Sequence, residues 1–175
     1  MFRDNSLLPK ETIRLAALGI LNEKPRTYYE LATVIREFVG LIASQSIELT
    51  GPSIELLRYE GLICSQDQHE SKILSLTNAG CTELKKLLKA NVRPTYSNNS
   101  KLVFALKMRF LHILSKTEKE LQLDLLIDTC EIELVRLTRL TDSSSHQKYF
   151  QDWLSHDTLL VQSRLTWLKN LRKNL

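Results

Sequence analysis

The stretch from Ile47 to Gly80, IELTGPSIELLRYEGLICSQDQHESKILSLTNAG, constrains what this chain can fold into more than any other. It reads as a short helix, a tight glycine turn, two strands with a polar tip and the start of another helix. Thr50 is placed to cap a helix N-terminus, and Pro52 fits the first turn. Ile54 and Leu57 then share one face at i, i+3. Gly61 follows the last charged turn, where a helix C-terminus favours a residue that tolerates positive φ. Leu62 and Ile63 open a strand, residues 65–71 (SQDQHES) are polar and turn-forming, and Ile73, Leu74 and Leu76 form the returning strand. Thr77 is a good N-cap for the helix that follows. Helix, β-hairpin, helix is the layout of a winged helix-turn-helix, a scaffold that usually presents its short helix to DNA.

The flanking sequence supplies the other helices. Residues 1–9 read as a loose leader. From Lys10, KETIRLAALGILNEK carries Ile13, Ala17, Ile20 and Leu21 on one face, widened by Leu15 and Leu18. A face that broad contacts more than one neighbour; a dimer partner and burial under the tail are equal candidates to cover it. Pro25 ends the helix. Thr27 and Glu30 form a capping box for the next, TYYELATVIREFVG, whose stripe is Leu31, Val34, Ile35 and Phe38. The segment from Gly40 to Ser46 is a link whose apolar neighbours Leu41, Ile42 and Ile47 keep it packed. After the wing, TNAGCTELKKLLKANV turns Leu84, Leu87 and Leu88 inward.

Residues 93–100, RPTYSNNS, cluster Pro, Ser and Asn and mark the linker. The expected division is therefore a winged-helix domain at 1–92, the linker at 93–100 and a helical domain at 101–175. In the latter, KLVFALKMRFLHIL places Leu102, Leu106, Phe110, Ile113 and Leu114 inward. A second helix starts near Lys116 with a Thr117–Glu120 capping box and runs through Leu123, Leu126, Ile127, Cys130, Leu134, Leu137 and Leu140. A turn at TDSSS (141–145) precedes a last helix with Phe150, Leu154, Val161, Leu165, Leu168 and Leu171. Two helices of about 25 residues joined by a short turn form an αα-hairpin. A hairpin in so small a domain cannot bury its stripe alone, and a second copy is expected to cover it. The fold class is mainly α: a winged helix-turn-helix with a small β-hairpin wing, then a C-terminal helical hairpin for dimerisation.

Composition narrows the function. No run of 18 apolar residues exists, so no membrane span is expected, and the N-terminus lacks a signal-peptide core. Three scattered cysteines, Cys64, Cys81 and Cys130, form no CxxC pair and suit a reduced, cytoplasmic setting. No catalytic or metal set stands out. Ser145 and His146 are adjacent in a turn, which is not how a nucleophile meets its base. Asp124 and Asp128 share a helix face, but no His joins them. Neither phosphate-binding glycine motif is present, so no cofactor and no enzyme activity are expected. The net charge of +4 lies in the tail: 11 Lys+Arg balance 11 Asp+Glu through Val92, and 13 face 9 thereafter. A neutral winged half offers DNA phosphates few cations.

The whole chain resembles the PadR-like family of bacterial transcription regulators. The family's first helix resembles AALGILNEKP (16–25), its second-helix opening TYYELA (27–32), its recognition helix and wing entry LTGPSIELLRYEGLI (49–63), its wing exit ILSLTNAGCTEL (73–84) and its tail end RLTWLKNL (164–171). The resemblance implies a homodimer whose winged helices bind a pseudo-palindromic operator in double-stranded DNA, and in some relatives a small aromatic or drug-like effector. Departures fall at the DNA-contact positions. Gly51-Pro52 replaces Tyr-Pro, Glu55-Leu56 replaces a basic or polar pair, Tyr28 replaces a small Gly, and Lys72 is the lone cation of the returning strand. The candidate DNA contacts are Thr50, Gly51 and Ser53 at the first turn of the recognition helix, with Arg58, Lys72 and Tyr28. Arg3, Lys10 and Arg14 are further basic candidates. Tyr29 reads as a helix-packing residue, and Trp153 and Trp167 as core or dimer interface. The alternative to a DNA-binding regulator is a winged-helix module that has lost DNA affinity and binds protein.

Overall fold

The computed structural model describes residues 6–43, 50–68, 71–92, 97–142 and 148–175. Seven α-helices and a three-stranded antiparallel sheet, with β1 (Arg26–Thr27), β2 (Ile63–Gln68) and β3 (Ser71–Leu76) in the order β1-β3-β2, are present among them. They fall into two compact units: the first runs to Asn91 and resumes at 96–114, and the second takes in 92–95 and 115–175.

The first unit is built around α1 (Pro9–Glu23). Its N-terminus is closed by the Glu11 carboxylate, which accepts the Leu8 N–H at 2.7 Å. From Thr12 to Leu21 every residue but Arg14 is buried. The chain itself covers this broad face, since α2 (Tyr28–Ala43), α3 (Thr50–Tyr59), α4 (Asn78–Leu88), α5 (Asn98–Phe110) and β3 (Ser71–Leu76) all pack on it. Part of that cover, α5, comes from the stretch expected to belong to the tail, so the tail candidate holds to that extent and no dimer partner is needed.

The Thr27–Glu30 box forms as expected. Glu30 accepts the Thr27 N–H at 2.8 Å, and Thr27 Oγ1 accepts the Glu30 N–H at 3.2 Å. The Thr27 N–H and then the Thr27 hydroxyl, both donating to the Glu30 carboxylate, hold it below the usual range. Arg26 and Thr27 also form a strand, β1, that the sequence did not announce, pairing with Leu74 and Ile73 of β3. α2 continues through Ala43, and Val39 is buried where Val34 and Phe38 are half-buried. Leu41, expected to stay packed, is exposed; Ile47 lies outside the described residues.

The wing strands are longer than their apolar residues suggested. β2 (Ile63–Gln68) and β3 pair from Ile63↔Leu76 to Gln68↔Ser71, so most of the polar segment is strand. Backbone pairing continues once apolar roots at Ile63 and Leu74 are buried, whatever the side chains at the tip. Gly61 takes φ of 71°, the left-handed conformation its position requires. Thr77 caps α4 by accepting the Gly80 N–H at 3.1 Å. Gly80 packs so closely on the Leu62 carbonyl that a Cβ there would sit 2.1 Å from its oxygen.

α5 begins inside the expected linker, capped by Ser97, which accepts the Ser100 N–H at 3.0 Å. The segment 101–114, expected with the helical tail, packs with the winged unit instead. Both its ends are tied to α1. The buried Thr12 hydroxyl donates to Asn99 Oδ1 at 2.9 Å, and Asn99 Nδ2 donates to the Leu7 carbonyl. At the other end Arg109 grips both Glu23 oxygens at 2.9 and 3.0 Å, with its guanidinium over the Phe38 and Phe110 rings. Next to the second tie, Phe110 lies against Gly19, where an added Cβ would come within 2.3 Å of the ring. Gly19→Ala is therefore expected to destabilise the protein: overpacking costs about 1–3 kcal/mol, offset by up to about 1 kcal/mol of helix propensity. Denaturant midpoints of Gly19→Ala, Phe110→Leu and the double variant check this, because the smaller side chain should relieve the clash.

In the second unit α6 (Lys116–Asp142) packs on α7 (Lys148–Lys173). The capping box that starts α6 is Ser115–Glu118, not the expected Thr117–Glu120: Glu118 accepts the Ser115 N–H at 3.0 Å. Leu123, Leu126, Cys130 and Leu137 meet Leu154, Val161 and Leu168 in the buried seam. Burial pushes the Cys130 thiol up. Arg172 Nε donates to Asp124 Oδ1 at 2.9 Å and ties the end of α7 to α6. Of the turn expected at 141–145, Thr141 and Asp142 continue α6, and the rest, with Ser145 and His146, lies outside the described residues.

Candidate nucleic-acid interface

α3 is held by two residues. Ile54 and Leu57 are fully buried, so the helical repeat turns Glu55, Leu56 and Tyr59 outward. Tyr59 is 90% exposed. Arg58 is exposed but engaged, its Nη2 2.7 Å from the Glu55 carboxylate one turn back. Ser53, a candidate contact at the first turn, is half-buried. α3 begins at Thr50, and the surroundings of Thr50, Gly51 and Pro52 lie outside the described residues.

Arg14, an expected phosphate contact, is committed elsewhere. Its Nη2 meets Glu60 at 2.7 Å and Glu83 at 3.8 Å, and its side chain is mostly covered. The hydrogen bond to Glu60 holds the guanidinium above its usual range, against the opposing effect of burial. Arg3 lies outside the described residues, while Lys10 is exposed.

The wing and the start of α2 come together. Lys72 is exposed on β3, opposite Asp67 in the register. The β1–β3 pairing runs Arg26↔Leu74, Thr27↔Ile73, and stops one step short of Tyr28 and Lys72. Two expected contacts from separate parts of the sequence thus share one edge. Tyr29, read as a packing residue, is 78% exposed beside Tyr28. The sequence missed this because Leu31, Ala32 and Ile35 already fill the inward face of α2.

Among the described residues no group of His, Cys, Asp or Glu could hold a metal ion, and no helix is long and apolar enough to cross a membrane. The second unit carries a different kind of surface. Along α7, Trp153, Leu160 and Trp167 recur every seven residues immediately before the buried Leu154, Val161 and Leu168, and all three are about half-exposed. Phe150 stacks on Trp153 with ring centroids 5.5 Å apart.

A short helix, a paired wing and a helical scaffold beneath them define a winged-helix protein. The chain belongs to the AphA-like family, described as "Putative AphA-like transcriptional regulator", which matches residues 2–172. The family is one of transcription regulators, not enzymes, in keeping with the PadR-like resemblance of the sequence. Solved structures similar to this chain include Bacillus subtilis PadR in complex with operator DNA, at 20% identity and a TM-score of 0.41 over 92% of this chain and 97% of that one. Another is the same regulator in complex with p-coumaric acid, at 19% identity and 0.43 over 95% and 97%. A third is smu.1604c from Streptococcus mutans UA159, at 19% identity and 0.42 over 94% and 98%. No curated protein matches the chain.

Proposed function

We propose that this transcription regulator binds double-stranded DNA as a homodimer, with α3 entering the major groove and the wing touching the backbone. The observation that carries the DNA reading is the outward face of α3, joined by the Tyr28–Lys72 edge, in a chain of a transcription-regulator family. Thr50, Gly51, Ser53, Arg58, Lys72 and Tyr28 are the proposed contacts. The homodimer rests on the second stripe of α7. A two-helix hairpin buries one seam, and an adjacent apolar stripe of the same seven-residue period suits the seam of another helix pair. Residues 115–175 are thus the proposed dimerisation region, and the dimer presents two winged units to one duplex.

The dimer is tested by sedimentation equilibrium. The full chain should sediment as a dimer at micromolar concentration, and Trp153→Asp with Trp167→Asp should sediment as a folded monomer. A compact wild-type monomer at that concentration refutes it. DNA binding is tested by titrating labelled genomic fragments at several salt concentrations. Few cations are available, so the slope of log affinity against log salt should be shallower than about −8 for the dimer, at about −0.9 per phosphate. Lys72→Ala should weaken binding to all fragments alike and flatten the slope. The engagement of Arg14 and Arg58 by carboxylates favours the second reading, a winged-helix module that binds protein. Folded dimer that binds no fragment above background at low salt would select it.

A further inference from the structure

The outward face of α3 presents a carboxylate, an aliphatic side chain and a phenol, an unusual set for a surface that meets a polyanion. We infer that Glu55 reads a cytosine in the major groove and that Leu56 packs against the methyl group of a neighbouring thymine. This rests on the DNA-binding reading above and names the bases that such a helix selects.

The chemistry leaves little choice. An ionised carboxylate only accepts hydrogen bonds. Guanine offers two acceptors to the major groove, and thymine one acceptor and a methyl group. Adenine sets its N7 lone pair beside its amino donor, so a carboxylate there gains one bond and meets one repulsion. Cytosine alone offers its amino donor without an acceptor of its own alongside. Arg58, 2.7 Å from Glu55 and one turn along the helix, fixes the carboxylate and offsets its repulsion by the phosphates. The guanidinium has five donors, so the pair leaves others free to reach a phosphate oxygen. Leu56 is half-exposed next to Glu55, and the thymine methyl is the apolar group that the major groove offers it.

The test is selection from a random duplex library with the full chain and with two variants at these exposed positions. The wild type should enrich half-sites with a fixed C·G pair beside a T·A pair. Glu55→Gln should exchange the cytosine for adenine, which glutamine contacts at both N6 and N7, and shift the relative affinity for the two duplexes by about tenfold or more. The same motif from wild type and Glu55→Gln would overturn the assignment while leaving DNA binding intact. Deoxyuridine in place of the neighbouring thymine should weaken the wild type several-fold and leave Leu56→Ala unchanged, and equal losses in both would remove the leucine from the readout. A folded wild type that enriches no sequence would overturn the DNA reading and this one with it.

Discussion

Replacing Lys107 by Met is expected to stabilise the protein near neutral pH by about 1–4 kcal/mol, a gain that shrinks as the pH rises. Lys107 lies on α5 and is 1% exposed, its ammonium donating to the Leu88 carbonyl at the end of α4. Burial brings its pKa down to about 7 from an ordinary 10.5. The unfolded chain keeps its proton up to the higher value and the folded chain releases it near the lower one. Between the two, the unfolded state binds more protons, and stability rises with pH. Below about 7 the full cost of the buried cation is present, and above about 10.5 it is gone. At about 1.4 kcal/mol per pH unit that cost is roughly 4–5 kcal/mol, less about 1–3 kcal/mol for the carbonyl that Met leaves unpaired. Urea unfolding of wild type and Lys107→Met at pH 6.5, 8 and 9.5 measures the difference, in which the other titrating groups cancel. A difference that stays constant over that range would show that Lys107 is not a strained cation.

Leu57→Ala should cost about 2–5 kcal/mol, the usual price of truncating a fully buried leucine. Leu57 and Ile54 are the two fully buried residues described on α3, and the Leu57 carbonyl also accepts the Leu62 N–H at 3.0 Å. The loss falls on the helix proposed to read DNA, so affinity should drop at temperatures well below the melting point. Leu56→Ala, half-exposed next door, should stay within about 0.5 kcal/mol. Equal losses of melting temperature in the two variants would mean that α3 turns a different face inward.

What the sequence disclosed was local chemistry. The Thr27–Glu30 box, the Thr77 cap and the Gly61 turn are each settled by residues a few positions apart, and each forms. Overlapping local signals were harder. Ser115–Glu118 and Thr117–Glu120 carry the same pattern, and the buried Leu114, which fixes where the chain turns, selects the first. The place of α5 was legible only as one of two open candidates to cover α1. It depends on Thr12 finding Asn99 and Glu23 finding Arg109, across 87 and 86 residues, and no window on the sequence contains both partners. The same holds for Arg14. It reads as a free surface cation until Glu60 and Glu83 are seen beside it.

The short strand β1 makes β3 the central strand of the sheet, so the wing is braced on both sides at its root. A hairpin joined only through its own two strands can swing toward a duplex and adapt to it. This one is stitched to the first turn of α2 and moves with it. In the proposed complex it therefore works as a calliper of fixed opening, and the duplex must supply the adjustment. Sequences whose groove width already suits the calliper would be favoured over stiffer ones even at base pairs that no side chain touches.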